Sequence, residues 1–217
     1  MENIYLCPSM MCADFGNLAS EVELLSEAGA DIFHLDLMDG SFVPNFAMGF
    51  EDIKSIKKAS TKPVDVHMMI YEPSKHVGAL CDMGIDIIYI HPEADSQPSR
   101  TLASIKALGA SPGIAVNPGT SFEAVRELLH IASHVLVMTV NPGYAGQQYL
   151  EFVDDKLYIF AEYKRFYDYE IFVDGAISEV KLKDLRSKGV DGFVLGTSAL
   201  FGKGESYKDI MRNLRDR

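Results

Sequence analysis

Short runs of apolar and β-branched residues alternate along the chain with longer stretches whose apolar positions recur at helical spacing. The short runs predict strands at residues 4–9, 32–37, 64–69, 85–90, 113–117, 134–140, 170–174 and 192–196. The longer stretches include residues 17–28, 99–108, 121–130 and 178–188, with a last helix near 206–214. Several open on Ser at the expected cap, and Gly29, Gly109 and Gly189 stand where a helix should end. The strands read as near-continuous apolar runs, the pattern of parallel strands covered on both faces. Eight strand–helix units fit a closed barrel better than an open doubly wound sheet, which would leave edge strands to protect. The expectation is therefore an α/β protein, a single (β/α)8 TIM barrel over residues 1–217, with no linker or second domain. The phrases EAGADIF, DMGIDII and SKGVDGF recur as helix end, Gly and next strand. Barrel geometry explains that recurrence as well as duplication does.

Composition narrows the partners. The chain is 47% hydrophobic and 24% charged, ordinary for a globular protein, with a net charge of −11. That acidity argues against a nucleic-acid surface, which needs clustered Lys and Arg. A phosphorylated metabolite stays open, because backbone N–H groups can grip it locally. The start, MENIYLCPSM, carries no basic, apolar leader pattern, and no apolar run approaches membrane-spanning length. The three cysteines, Cys7, Cys12 and Cys81, have no metal-type spacing and suggest a reduced, cytoplasmic setting.

In such barrels chemistry sits where strands end at their C-termini. The polar residues at those ends are Ser9, His34, Asp36, His67, Asn117, Asn141, Asp174, Thr197 and Ser198. His34 and Asp36 lie two apart on one strand and so share a face. With His67 and Asp174 they make a plausible set for Zn2+, Mn2+, Fe2+ or Co2+. Spacing alone supports equally a buried His34–Asp36 pair with Asp174 as a loop cap. NPGYAGQ, VDGAIS and LGTSALF follow the last three strands. One glycine loop alone reads as a tight turn, whereas a run of them on adjacent strands favours phosphate. His91 and Glu93 are expected to act from behind the pocket. His76, His130 and His134 read as surface or packing residues, and Asp154 and Asp155 as a solvated helix face.

Across nearly the whole chain, CPSMMCADF, HLDLMDGSFVPN, KPVDVHMMI, HPEA, VMTVNPGYAGQ, VDGAIS and GTSALFG resemble the ribulose-phosphate 3-epimerase family, including its D-allulose-6-phosphate branch. The resemblance implies a barrel of the ribulose-phosphate-binding type and one divalent metal, Zn favoured, on His34, Asp36, His67 and Asp174. It implies Asp36 and Asp174 as acid/base carboxylates, and Ser9 and His67 as substrate contacts. Gly143, Tyr144, Ala145, Gly146, Gly175, Ala176, Thr197 and Ser198 would hold the phosphate and adjoining sugar. Met38, Met69 and Met138 match the methionines that floor the family's site. Homo-oligomers occur in the family, although no interface pattern is visible in the chain.

Several positions depart from the pentose-phosphate pattern. Met11 and Cys12 replace Leu-Ser, Tyr144 and Ala145 replace Phe-Gly, Ala176 replaces Gly, and Thr197-Ser198-Ala199 stands where Gly-Ser-Ala is usual. These features favour a six-carbon substrate, D-allulose 6-phosphate/D-fructose 6-phosphate, over D-ribulose 5-phosphate/D-xylulose 5-phosphate. Two other readings compete. A related decarboxylase would carry Asp-x-Lys-x-x-Asp, but Met38 and Asp39 follow Asp36 and Leu37 with no lysine. A non-catalytic sugar-phosphate-binding barrel would have no need for two carboxylates across a metal.

Overall fold

A computed structural model describes residues 4–216. The strands are β1 (Tyr5–Pro8), β2 (Phe33–Asp39), β3 (Phe46–Ala47), β4 (Val64–Met69), β5 (Ile87–Ile90), β6 (Ser111–Val116), β7 (His134–Met138), β8 (Glu170–Asp174) and β9 (Gly192–Leu195). The α-helices are α1 (Leu18–Glu27), α2 (Phe50–Ala59), α3 (Val77–Asp82), α4 (Pro98–Ala107), α5 (Phe122–Val125), α6 (Val153–Tyr163), α7 (Glu179–Ser187) and α8 (Tyr207–Asp216). The parallel strands run in the order β1-β9-β8-β7-β6-β5-β4-β2. A parallel bridge between Ser9 and His34 joins β1 to β2, and the Asp31 N–H donates to the Leu6 carbonyl at 3.0 Å. Those contacts close the sheet into the expected barrel.

Alternation along each strand sorts the side chains. Phe33, Leu35, Leu37, Val64, Val66 and Met68 belong to the large core shared with the helices. Cys7, Ile87, Tyr89, Ala115, Leu136, Phe172 and Val194 form a separate cluster inside the barrel. Two glycines make that interior packable. A Cβ on Gly113 would come within 2.4 Å of the Tyr89 ring, and one on Gly192 within 2.1 Å of the Phe172 ring. Each large ring therefore fills the space over a residue without a side chain.

Local chemistry agrees with the helix positions. Ser178 accepts from the Lys181 N–H at the start of α7, and Asp52 accepts from the Gly49 N–H at the start of α2. At the far end of the barrel, Arg215 reaches Asp31 at 2.7 Å and the Gly29 carbonyl at 2.8 Å, tying α8 beneath β1 and β2. Among the described residues no helix is long and apolar enough to cross a membrane, and the three cysteines are free thiols. Residues 1–3 of the amino-terminal pattern lie outside the described residues.

Some local expectations need correction. β3 is a short antiparallel addition, with Met38 opposite Ala47 and Asp39 opposite Phe46. The exposed, turn-rich SFVPNF segment gave no strand periodicity to announce it. Residues 121–130 form one short α-turn followed by a 3-10 segment, Arg126–His130, rather than one helix. There the Ile131 N–H bonds to Leu128, and the adjacent Leu128 and Leu129 both turn into the core. β5 begins at Ile87, later than residue 85, and β6 begins at Ser111, earlier than residue 113. Asp154 is a buttress rather than a solvated group: it accepts from the Tyr149 hydroxyl at 2.5 Å and from Lys188 at 3.1 Å. Asp155 is exposed as expected. His134 begins β7, facing Glu170 at 3.4 Å and the rings of Tyr89 and Phe172.

Candidate active site

The outward residues of β2 anchor that strand against helices, so its alternate residues His34, Asp36 and Met38 point inward. In the register of β2 with β4, His34 lies beside Asp65 and Asp36 beside His67. Asp174 ends β8, three places away around the barrel by way of β1 and β9. Barrel closure is what joins the remote parts of the chain.

His34, Asp36, His67 and Asp174 each present one ligand atom, and these atoms all lie within 4.8 Å of one another. Asp36 Oδ1 stands 3.4 Å from His34 Nε2 and 3.3 Å from His67 Nδ1. Asp174 Oδ2 lies 4.0 and 3.8 Å from the same two nitrogens. Tetrahedral ligands at about 2.1 Å from an ion would be separated by roughly 3.4 Å, so the donor set fits a small divalent cation. His34 and His67 are fully buried and Asp36 nearly so. Desolvating such groups costs several kcal/mol each unless a counter-charge or strong hydrogen bonds compensate. A bare hydrogen-bonded pair would not require two imidazoles and two carboxylates to converge.

The two carboxyls are tuned apart. Burial works to raise the Asp36 pKa, but the charges and hydrogen bonds of His34 and His67 outweigh it and hold the group below the usual carboxylate range. The Ser9 hydroxyl also donates to Asp36 Oδ2 at 2.8 Å. Asp174 is pushed up to about 6, first by burial and then by the negative charge of Asp36. Burial would lower His34, yet Asp65 and Asp36 raise it well above its ordinary value.

A cleft opens above this cluster. Ser9, Asp36, Met38, Met69, Met138 and Asp174 line its floor and walls, together with Met11 and Cys12. Its rim carries every loop position singled out in the sequence: Gly143, Tyr144, Ala145, Gly146, Gly175, Ala176, Thr197 and Ser198. Burial, then the nearby Asp36, pushes the Cys12 thiol up to about 11, which disfavours its thiolate form. Ala176 holds a left-handed φ of 52°, a conformation that disfavours a side chain. Thr139 steadies this turn: its N–H and hydroxyl donate to the Asp174 carbonyl at 2.8 and 3.0 Å, and the hydroxyl also reaches the Gly175 carbonyl.

The loop after β2 closes one side. Asp39 accepts from the N–H groups of Ser41 and Phe42 at 2.8 Å and of Tyr71 at 2.9 Å. Asn45 donates to the Gly143 carbonyl at 2.7 Å, and the Tyr144 hydroxyl donates to the Pro44 carbonyl. The rim loops therefore brace each other across the mouth.

Asp65, Thr139 and the bracing residue Asn45 were missed as site residues. Asp65 carried a signal: a carboxylate inside an apolar strand, two residues before His67 and on its face. His91 stands behind His67, as expected from its strand end, and Glu93 faces it at 3.9 Å. Glu93 also accepts from Asn117 at 3.1 Å and from Thr120, so Asn117 orders this loop.

Comparison with known proteins follows the same line. The model described as the Ribulose-phosphate 3 epimerase family matches residues 5–201. The ribulose-phosphate 3-epimerase of Aquifex aeolicus (strain VF5) is 38% identical over 199 residues, covering 91% of this chain and 89% of its own. That of Methanocaldococcus jannaschii is 39% identical over 210 residues, covering 96% and 88%. Among solved structures, a 3-hexulose-6-phosphate synthase superposes with a TM-score of 0.74 at 16% identity, covering 98% of this chain and 99% of its own. A tryptophan synthase alpha-subunit from Pyrococcus furiosus gives 0.72 at 14%, covering 99% and 98%. At such identities the structural likeness establishes the barrel alone.

Proposed function

This chain belongs to the ribulose-phosphate 3-epimerase family, a carbohydrate isomerase, and on that premise we propose that it interconverts D-ribulose 5-phosphate and D-xylulose 5-phosphate. The observation that carries the reading is the meeting of Asp36 and Asp174, from separate strands, with two imidazoles beneath a glycine-rimmed cleft. The five-carbon substrate replaces the six-carbon preference drawn from loop residues. Relatives named for ribulose phosphate match over almost their full length, despite Ala145, Ala176 and Thr197.

Epimerisation at C3 requires a proton to leave one face of a planar enediolate and another to arrive on the opposite face. One base does not serve both faces, so two carboxylates are needed. Asp36, held as the anion by its histidine neighbours and Ser9, takes the proton from one epimer. Asp174, with its raised pKa, supplies the proton on the other face. The reverse reaction exchanges their roles. A divalent ion, Zn2+ favoured by the His/Asp donor set, would be held by His34, Asp36, His67 and Asp174 and would stabilise charge developing on the substrate oxygens.

The rest of the cleft positions and shields. Gly143, Tyr144, Ala145, Gly146, Gly175, Ala176, Thr197 and Ser198 line the rim of the cleft, and their backbone N–H groups would receive the phosphate and adjoining sugar. Met38, Met69 and Met138 offer a polarisable floor that does not compete for the substrate's hydrogen bonds. Ser9 would touch the sugar oxygen nearest the carboxylates, whereas His67, fully buried beneath the cleft and with both ring nitrogens facing other groups, corrects the expectation of a substrate contact there.

The test is kcat/KM for D-ribulose 5-phosphate against D-allulose 6-phosphate on one preparation. The five-carbon ketose is expected to be preferred by at least tenfold, equivalent to about 1.4 kcal/mol of transition-state binding. A preference for the six-carbon ketose would return the decision to the loop residues. Turnover of neither, with tight binding of either, would make the chain a binding protein.

A further inference from the structure

Behind the four proposed ligands stand two buried groups with no assigned role, Asp65 and His91. Each meets the back of one histidine. His34 turns Nε2 toward the carboxylates and Nδ1 toward Asp65, whose Oδ1 lies 2.6 Å away. His67 is mounted the other way round, with Nδ1 toward the carboxylates and Nε2 at 2.8 Å from His91 Nε2. Asp65 is 1% exposed, and His91 is fully buried. The His34–Asp65 approach is close but misaligned for a straight hydrogen bond, so both Asp65 oxygens lack a well-formed one. A buried carboxylate in that condition is expensive to keep.

Resting on the metal-centre reading above, we infer that Asp65 and His91 are positioning residues that fix the tautomers of His34 and His67, so that His34 Nε2 and His67 Nδ1 each present a lone pair to the ion. The proton count leaves little choice. A ligating imidazole carries its single N–H on the nitrogen away from the cation. His34 must then hold its proton on Nδ1, facing the Asp65 carboxylate. His67 must hold its proton on Nε2, so the facing His91 Nε2 must be the acceptor. His91 is then neutral with its own proton on Nδ1, the nitrogen 3.9 Å from Glu93 Oε2. The Phe42 ring packs on His91 at 4.7 Å and keeps its plane in place.

The pairing is asymmetric. An anion backs one histidine and a neutral acceptor backs the other. A second backing anion would add negative charge to a site that already gathers Asp36, Asp174 and Asp65.

The experiment measures Zn2+ affinity by competition with a chromophoric chelator, for the full chain and for Asp65→Asn, Asp65→Ala, His91→Gln and His91→Phe. Circular dichroism and the metal-free Tm check folding. Losses of 10- to 100-fold are expected for Asp65→Ala and His91→Phe, with smaller losses for Asp65→Asn and His91→Gln, which keep an acceptor oxygen. Visible bands of the Co2+-loaded protein should shift in Asp65→Ala and His91→Phe, because the ligand rings are no longer aimed. The two positions are read independently, so a variant that does not fold at one leaves the other decisive. Wild-type affinity in folded Asp65→Ala or His91→Phe overturns the inference while leaving the metal centre standing. Failure of the unaltered chain to bind one Zn2+ overturns both.

Discussion

The barrel interior holds two layers on the same strands, one pleat apart. The lower layer is apolar: Cys7, Tyr89, Leu136 and Phe172 pack closely, with Gly113 and Gly192 making room for the rings. Two residues further along the same strands stand Ser9, His91, Met138 and Asp174, and beside them His34, Asp36 and His67. The lower layer is held by apolar contact, with the buried Tyr89 hydroxyl left without a hydrogen-bond partner. The upper one gathers buried polar groups whose mutual arrangement costs folding energy unless a counter-charge answers it. This difference implies that rigidity comes from below and chemistry from above. Substitutions in the two layers should therefore fail in different ways.

The largest effect is expected in the upper layer. Asp36→Asn or Asp174→Asn should lower kcat by roughly 10^3–10^4-fold, read by a coupled epimerase assay, with an unchanged circular dichroism spectrum. Exhaustive chelation of the wild-type chain should produce a comparable loss, reversed by a divalent ion. Turnover near the wild-type level in either variant would remove the two-carboxylate assignment.

Next comes the lower layer. Phe172→Ala should cost about 3–5 kcal/mol by removing a ring that Gly192 cannot replace. In a chain of this length that is a fall in Tm on the order of 10 °C, measured by calorimetry. Turnover of the molecules that remain folded should change far less than in Asp174→Asn. If Phe172→Ala kept its Tm and lost its activity, the separation into layers would be wrong.

A smaller effect falls on the boundary. Ser9→Ala deletes the 2.8 Å hydroxyl contact to Asp36. About a tenfold loss in kcat/KM is expected, close to 1.4 kcal/mol, with Tm within a degree or two of wild type. A loss as severe as that of Asp36→Asn would assign Ser9 a proton-transfer role of its own.

The layers also differ in how far the chain discloses them. The strands were legible because runs such as β5 and most of β7 are buried between apolar partners on both faces, while β2 and β4 keep an apolar residue at every helix-facing position. Against that background His34, Asp36, His67 and Asp174 stand out as polar breaks at strand ends. What stayed hidden depends on closure and register. Asp65 becomes the partner of His34 only when β2 and β4 align. The Tyr144–Pro44 brace joins residues 100 apart, and nothing local to either loop predicts it. The antiparallel β3 and the 3-10 segment at Arg126–His130 arise from tertiary packing over short, weakly patterned stretches.

The most direct test of the account is wild-type turnover of D-ribulose 5-phosphate in D2O, followed by proton NMR at C3. A two-carboxylate epimerase should deliver D-xylulose 5-phosphate carrying solvent deuterium at C3, because the proton removed on one face is not the one returned on the other. Formation of the C3 epimer with its original hydrogen retained, or no epimer at all, would contradict the mechanism at its centre.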